Sequence, residues 1–439
     1  MTKIIDLCNI IEACNRKYLY NGFNNILSEI DTHTEKLLTD SCSVYYNNCT
    51  LKIHSNIDHK VLEWKSNNML THVIISITEK CNMRCKYCVY HDTRYALGNF
   101  LYDININTLR RSLDFILEHS KFANETIVSF YGGEALLRFD LIRYAILYID
   151  KNNYYGHCFR FIVSTNGILL NSDTVDFLVS RNIRCIISLD GPKTVHDRYR
   201  VDSEGNTTFN TIIRNIRRLA NKYPDYYRKY VHFNTVFSPP YDYSIIYDFF
   251  SKSKVTYMDV DIGDYFKSYL LEKYGSLDFY FEDDLVDISN YLSGKEYLVY
   301  LKKFMAIEEV TDPKTVFPPS FCIPLERKMH INVSGKIMLC ERVDECNTLF
   351  QLGDVFSGYD YKKVRKLFEF TNGILDNNCN KCWSFRFCNI CFADLDKVAY
   401  DGDYCVNMRA KIEKDFKIFL ELKHNNNRFE EIMQAISID

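Results

Sequence analysis

No apolar run in this 439-residue chain approaches the ~18 residues that a membrane-crossing helix needs, so no helical span is expected. The start, Met1-Thr2-Lys3-Ile4-Ile5-Asp6, lacks the apolar core of a secretory signal, and the expectation is a cytoplasmic protein. A surplus of either charge is also missing: Lys+Arg 54 against Asp+Glu 57 leaves a net −3. That balance gives no electrostatic case for nucleic acid or for an anionic membrane as partner. Repeats and low-complexity tracts are absent too. The chain is too long for one ordinary core, so two or three domains are expected. What it does have is cysteine, 17 in all. In a reducing compartment such a number argues for metal ligation rather than disulfides.

The cysteines are clustered. Cys81, Cys85 and Cys88 form one group, and Cys322, Cys340, Cys346, Cys379, Cys382, Cys388, Cys391 and Cys405 form a second. Cys8, Cys14, Cys42, Cys49, Cys158 and Cys185 are scattered and read as small buried hydrophobes.

Between Val73 and about Pro240, short apolar runs alternate with helical patterns. The runs are Val73–Ile77, Thr126–Phe130, Phe159–Ser164, Cys185–Leu189 and His232–Phe237. Such alternation predicts βα units on a parallel sheet, and the polar signatures gather at the C-terminal ends of the runs, where such sheets keep their sites. Before this region, Lys17 to Phe23 reads as a strand and turn with an Asn-Gly hairpin step. Ile26, Leu27, Ile30, Leu37 and Leu38 then suit a short helix. Ile412, Phe416, Phe419 and Leu420 recur at helical spacing in the tail. The expected division is 1–68, a small α+β segment; 69–310, the βα core; 311–409, a cysteine-stapled module; and 410–439, a helix.

The stretch ITEKCNMRCKYCVYHD (77–92) spaces its cysteines C-x3-C-x2-C. Zinc and cubane iron–sulfur clusters normally take four protein ligands, and this group stops at three. A zinc loop borrowing His91 satisfies the count. A cluster with one iron left open satisfies it as well. The spacing after a first strand, with Tyr87 before the third cysteine, resembles the radical S-adenosylmethionine (SAM) superfamily. The resemblance implies a partial (β/α)6 barrel of TIM type and a [4Fe–4S] cluster on Cys81, Cys85 and Cys88 whose open iron binds SAM. Gly132-Gly133-Glu134 looks like the family's GGE element, with Glu134 accepting from the SAM ammonium group. Ser164 and Asn166 belong to an STNG element, and Ser188 and Asp190 to SLDGP, placed for ribose hydroxyls. Asn234 would face the adenosine. His196 to Arg200, with Gly205 and Phe209, looks like the HDxxR…G…F stretch of one subgroup, which makes Arg198 and Arg200 candidates for holding a carboxylate. Taken singly, each of these short elements also reads as an ordinary turn.

The second cysteine group is similar to the SPASM extension of that superfamily, except that its last close pair has two intervening residues instead of three. The resemblance implies two auxiliary [4Fe–4S] clusters. Cys379, Cys382, Cys388 and Cys405 would hold one; Cys322, Cys340 and Cys391 would hold the other, with Cys346 the spare candidate ligand. Two zinc knuckles are the alternative. Glu341 follows Cys340, where related sulfatase-activating enzymes carry an Asp thought to take the substrate's proton. Burial that raises its pKa would suit that role; pairing with Arg342 or Lys336 would not.

The resemblance extends to SPASM maturases of ribosomal, cysteine-rich peptides. It implies an oxidoreductase that cleaves SAM and installs a thioether or carbon–carbon crosslink in a precursor peptide. A flavodoxin or ferredoxin would be the electron donor. The segment before residue 68 faintly resembles the peptide-gripping module of such maturases. Two alternatives stand beside this: an anaerobic sulfatase-maturating enzyme making formylglycine, and a non-catalytic metal-binding or redox-sensing protein.

Overall fold

A computed structural model of the chain describes residues 7–22, 24–41, 58–88, 90, 101–236, 245–246, 249–250, 323–326, 328–388, 390–400 and 403–425. Cys42, Cys49, His91, Cys322 and most of 241–315 lie outside the described residues. The chain divides into two compact units, Asp58–Lys273 with Ile323–Val364, and Met1–Ile57 with Tyr274–Cys322 and Arg365–Asp439.

The second of these units starts with β1 (Cys8–Ala13), β2 (Arg16–Asn21) and β3 (Ile26–Ile30), an antiparallel sheet in the order β1-β2-β3. Cys14 and Asn15 close the first hairpin at φ of 53° and 58°, the left-handed conformation a two-residue turn demands. The Asn21-Gly22 step falls in the second turn, as expected. Ile26, Leu27 and Ile30 were expected in a helix and form β3 instead. Pairing from Lys17↔Ile30 to Asn21↔Ile26 gives these five residues backbone partners that so short a helix would not close. The helix, α1, covers Thr32–Ser41.

The other unit opens with α2 (His59–Asn68) and β4 (His72–Thr78). There follow α3 (Ile106–His119), β5 (Thr126–Gly132), α4 (Phe139–Asn152), β6 (Phe159–Thr165), α5 (Ser172–Ser180) and β7 (Arg184–Ser188). Then come α6 (Lys193–Tyr199), α7 (Phe209–Lys222), α8 (Pro224–Tyr230) and β8 (Val231–Asn234). Strands β4 to β8 are parallel neighbours in chain order. Each βα unit has local causes. Asn105 caps α3 by accepting from Thr108 N at 2.9 Å, and Leu109, Leu113, Phe115 and Ile116 bury its inner face. Val73, Ile75 and Ile77 of β4 are fully buried, each worth ~1.5–3 kcal/mol relative to exposure.

The sheet continues past β4 on its other side. β9 (Met329–Ile331) runs parallel to β4, and β10 (Lys336–Met338), β11 (Gln351–Asp354) and β12 (Gly358–Tyr359) extend it antiparallel. This differs from the expected 69–310 and 311–409 division. Residues 323–364 join the core because Val73, Ile74 and Ile75 pair with Met329, His330 and Ile331.

The chain then forms α9 (Tyr361–Asn378), α10 (Leu395–Tyr400) and α11 (Tyr404–Asn425). Tyr20 of β2 packs on Trp383, Phe387 and Phe416 at ring distances of 6.4, 5.4 and 4.8 Å. Its hydroxyl donates to Asn25 Oδ1 at 2.8 Å, so its burial leaves no orphaned polar atom. The N-terminal sheet is thus part of the unit that carries the C-terminal cysteines, not a separate segment. The tail helix begins at Tyr404, earlier than the expected 410, and so takes in Cys405. Among the described residues, no helix is long and apolar enough to cross a membrane.

Candidate functional site

β4 ends at Thr78, and the chain passes at once into the cysteine loop. Glycine at 132 and 133 is required here by the protein's own backbone. Gly132 has φ +136°, and a Cβ there would lie 2.1 Å from Thr78 O. A Cβ on Gly133 would lie 2.3 Å from Lys80 O. Gly133 N donates to Thr78 O and Glu134 N to Lys80 O, both at 2.8 Å, which fastens the end of β5 to the entry of the loop. The backbone of residues 78–80 is thus what packs against the two glycines.

Glu134 differs from expectation. Its carboxylate is 2% exposed and already engaged. Oε1 accepts from Leu136 N at 3.1 Å and Thr165 Oγ1 at 2.7 Å, and Oε2 accepts from Asn166 N at 2.7 Å. Burial pushes its pKa up, against these three donors. The side chain therefore locks the ends of β5 and β6 together instead of facing a ligand. Asn166, held in this way, donates from Nδ2 to Asn82 Oδ1 at 2.7 Å, inside the cysteine loop. Asn82 was missed by the sequence reading because nothing local marks it.

On the loop's other side, Arg84 N donates to Val201 O at 2.8 Å and Lys86 N to Tyr199 O at 3.0 Å. Tyr87 OH donates to Asp190, and the Arg200 guanidinium lies 5.4 Å from the Tyr87 ring centroid. Arg200 Nε donates to Asp190 Oδ2 at 2.7 Å, and Val236 N to Oδ1 at 3.0 Å. Oδ2 of Asp190 thus accepts from both Tyr87 and Arg200, while, among the described residues, Oδ1 accepts from Val236 N alone. Arg200 does hold a carboxylate, but it is that of Asp190. His196, fully buried, bridges Asp190 N and Thr208 Oγ1 at 3.3 and 3.1 Å. Asp197 accepts from Thr208 N and Phe209 N at the start of α7. Most of the HDxxR stretch is thus scaffold behind the loop, while Arg198 is half-buried.

Ser188 pairs with Asn234, Ser76 with Tyr131 and Ser129 with Ile162. With side chains alternating along strands, Ser164, Ser188 and Asn234 share the sheet face of Ser76, Ser129 and Tyr131. All three expected cofactor contacts on strands therefore lie on one polar face.

Cys85 and Cys88 lie close enough to Cys81, and Cys88 to Cys85, to add to the rise of the pKa values of Cys81 and Cys85. Burial pushes Cys81 up to about 12, and raises Cys85 against the pull of Arg200. In the other unit, burial raises Cys379, Cys388 (to about 12) and Cys405, and the nearby Cys382 adds to the rise at each. Arg409, one turn beyond Cys405 on α11, opposes the rise at Cys379 and Cys405. Cys391 donates to Asp394 Oδ2 at 3.2 Å. Part-buried thiols grouped like this suit a polycationic cluster, whose charge offsets the cost of desolvating thiolates. Among the described residues, no three His, Cys, Asp or Glu side chains close around a single metal-ion position.

Cys340 and Glu341 lie beside β10, and Cys346 sits exposed in the turn after Asp344. Glu341 was expected to have a raised pKa or a partner in Arg342 or Lys336. Its partner is Lys328, which donates to Oε1 at 2.7 Å. Burial pushes the carboxyl up, but Lys328, with His330, outweighs it and holds the group below its ordinary value. Oε2 is buried with no hydrogen-bond partner among the described residues. Lys328 lies thirteen residues back on another segment, beyond the reach of local sequence reasoning.

Residues 75–249 match the model of the Radical SAM superfamily. The cysteine-type anaerobic sulfatase-maturating enzyme of Clostridium novyi (strain NT) is 30% identical over 195 residues, covering 43% of this chain and 50% of that protein. The serine-type enzyme of Bacteroides thetaiotaomicron is 26% identical over 140 residues, 32% of this chain and 34% of that one. The radical SAM cyclopropyl synthase TigE of Paramaledivibacter caminithermalis is 23% identical over 292 residues, 62% and 56% of the two chains. The chain thus spans about half, or less, of the first relatives it matches. A solved structure, native anSMEcpe with bound AdoMet and Cp18Cys peptide, aligns with 84% of this chain and 99% of its own at TM-score 0.54 and 17% identity, a likeness of fold.

Proposed function

We propose that this chain, whose residues 75–249 are a radical SAM domain, is a peptide maturase that installs a thioether or carbon–carbon crosslink in a ribosomally made precursor. The observation that carries the reading is the 81–88 loop: three coupled thiols at the C-terminal edge of a parallel sheet, pinned on both sides by protein. Cys81, Cys85 and Cys88 would hold a [4Fe–4S] cluster with one iron left for SAM. Once bound, that group supplies one-electron cleavage of SAM to a 5′-deoxyadenosyl radical, which takes a hydrogen atom from the substrate.

The chain's own residues bind, orient and exclude water. With Glu134 turned inward, the backbone oxygens of the Gly132-Gly133 turn are the acceptors for the SAM ammonium group. Ser164, Ser188 and Asn234 line the polar face for ribose and adenosine, and Arg198 is the cation for the carboxylate. Glu341 takes the substrate's proton. Lys328 keeps it ionised, and the free Oε2 is the lone pair a base needs. Cys379, Cys382, Cys388 and Cys405 would hold one auxiliary cluster, and Cys322, Cys340 and Cys391, with Cys346 as spare, a second; these clusters would accept the one electron left on the substrate after the hydrogen atom and the proton have gone. β3 has an outer edge that pairs with no described strand, where a precursor peptide would add as a further strand. The electron donor would be a flavodoxin or ferredoxin, and the compartment the cytoplasm.

A second reading, formylglycine formation on a sulfatase, is favoured by the sulfatase-maturating relatives. Intact-mass measurement separates the two. The chain is co-expressed anaerobically with each short cysteine-rich reading frame encoded beside it. A loss of about 2 Da per site, without hydrazide reactivity, is expected for a crosslink. A product carrying a hydrazide-reactive aldehyde would replace the crosslink with formylglycine. Unchanged peptides from a chain that cleaves SAM would overturn the substrate assignment.

A further inference from the structure

Behind the cysteine loop lies a buried ion pair that none of the roles above uses. Asp190 is 2% and Arg200 6% exposed, and Nε–Oδ2 is 2.7 Å. Burying two charges costs several kcal/mol per ion before their attraction repays it, and a hydrophobic pair of similar volume often does as well. The pair therefore calls for a reason beyond stability, and its surroundings offer one. Tyr87, two residues after Cys85 and one before Cys88, donates its hydroxyl to Asp190 and lies under the Arg200 guanidinium, 5.4 Å from its ring centroid. Arg84 and Lys86 bond the backbone on either side of Arg200, at Val201 and Tyr199. The loop is thus tied to this pair by one side chain and two backbone bonds. Cys85 lies between Arg84 and Lys86, so these two backbone bonds set it opposite Arg200.

We propose that the Asp190–Arg200 pair is a positioning unit for the cysteine loop. Tyr87 anchors the loop to it, and the guanidinium places a fixed positive charge beside Cys85 that makes a cluster held there easier to reduce. This rests on the cluster-binding reading above. Cluster potentials follow net charge and hydrogen bonding around the sulfurs, so a buried cation at this spot raises the potential and helps a weak donor deliver the first electron. Lys at 200 would keep the charge while losing the planar fork; Gln would lose the charge.

The test is a redox titration of the anaerobically reconstituted full chain, followed by electron paramagnetic resonance. The triad's signal is identified as the one lost in Cys85→Ala. Arg200→Lys is expected to keep a midpoint near wild type, and Arg200→Gln to move it to more negative potential. Arg200→Gln strands a buried carboxylate and can unfold the chain, so Asp190→Asn/Arg200→Gln is measured as well; it removes both charges and is expected to shift the same way by less. A wild-type midpoint in the double variant at full iron content would overturn the proposal. So would an Arg200→Lys shift as large as that of Arg200→Gln. If Cys85→Ala removes no signal from the wild-type spectrum, the triad holds no cluster, and the underlying reading falls with the inference.

Discussion

In the 81–88 loop three cysteines come from eight consecutive residues, whereas Cys379, Cys382, Cys388 and Cys405 come from a turn and the start of α11. The loop is shaped by bonds to its neighbours: Gly133 and Glu134 on one side, Tyr199, Val201 and Asp190 on the other. The four-thiol group is shaped by its core. Cys379 directly follows α9, Cys382 N donates to Cys379 O at 3.0 Å, and Phe385 and Phe387 fill the turn before Cys388. A loop bonded to protein on both sides has its shape set by those bonds. A four-thiol group drawn from two segments would act as a staple if it held a cluster, and closing it would then stabilise the fold.

The largest effect that would break this comparison is in the staple. Cys405→Ala should lose roughly four irons per chain and melt well below wild type by calorimetry. Cys88→Ala should lose a similar amount of iron with little change in Tm. Equal destabilisation by both would show that the loop also depends on its metal. Next in size is Gly133→Ala. Its methyl group would meet Lys80 O at 2.3 Å, which backbone cannot easily relieve. A cost of about 1–3 kcal/mol in urea denaturation is expected, together with weaker SAM cleavage. A variant as stable and active as wild type would remove the Gly-Gly turn from the support of the loop. The smallest is Tyr20→Phe, which leaves the buried Asn25 without its donor at a cost of about 1 kcal/mol. Lying in the staple's unit, it should lower urea stability while leaving SAM cleavage unchanged.

The strands that carry the site were legible because parallel, buried strands are continuous apolar runs. Phe159–Ser164 and Cys185–Leu189 were placed to within a residue or so of β6 and β7. What the sequence hid is direction and distance. Glu134 and Asp190 sit where a ligand contact was expected, yet both turn inward to donors 31 and 10 residues away. Short polar signatures tell which residues occupy a strand end, not which way each carboxylate faces. Lys328, and the packing of Tyr20 on Phe416, join segments that no local pattern links. Ile26 to Ile30 carried apolar residues compatible with either period, and pairing with β2 decided for strand.

The central claim is a division of labour, with SAM cleavage at the triad and the four-thiol group serving the later step. The most direct test is 5′-deoxyadenosine formation by anaerobically reconstituted Cys85→Ala and Cys388→Ala, run beside wild type with dithionite as reductant. The account predicts background levels from Cys85→Ala and retained cleavage from Cys388→Ala, whose peptide masses stay unchanged. 5′-Deoxyadenosine at wild-type levels from Cys85→Ala would contradict it.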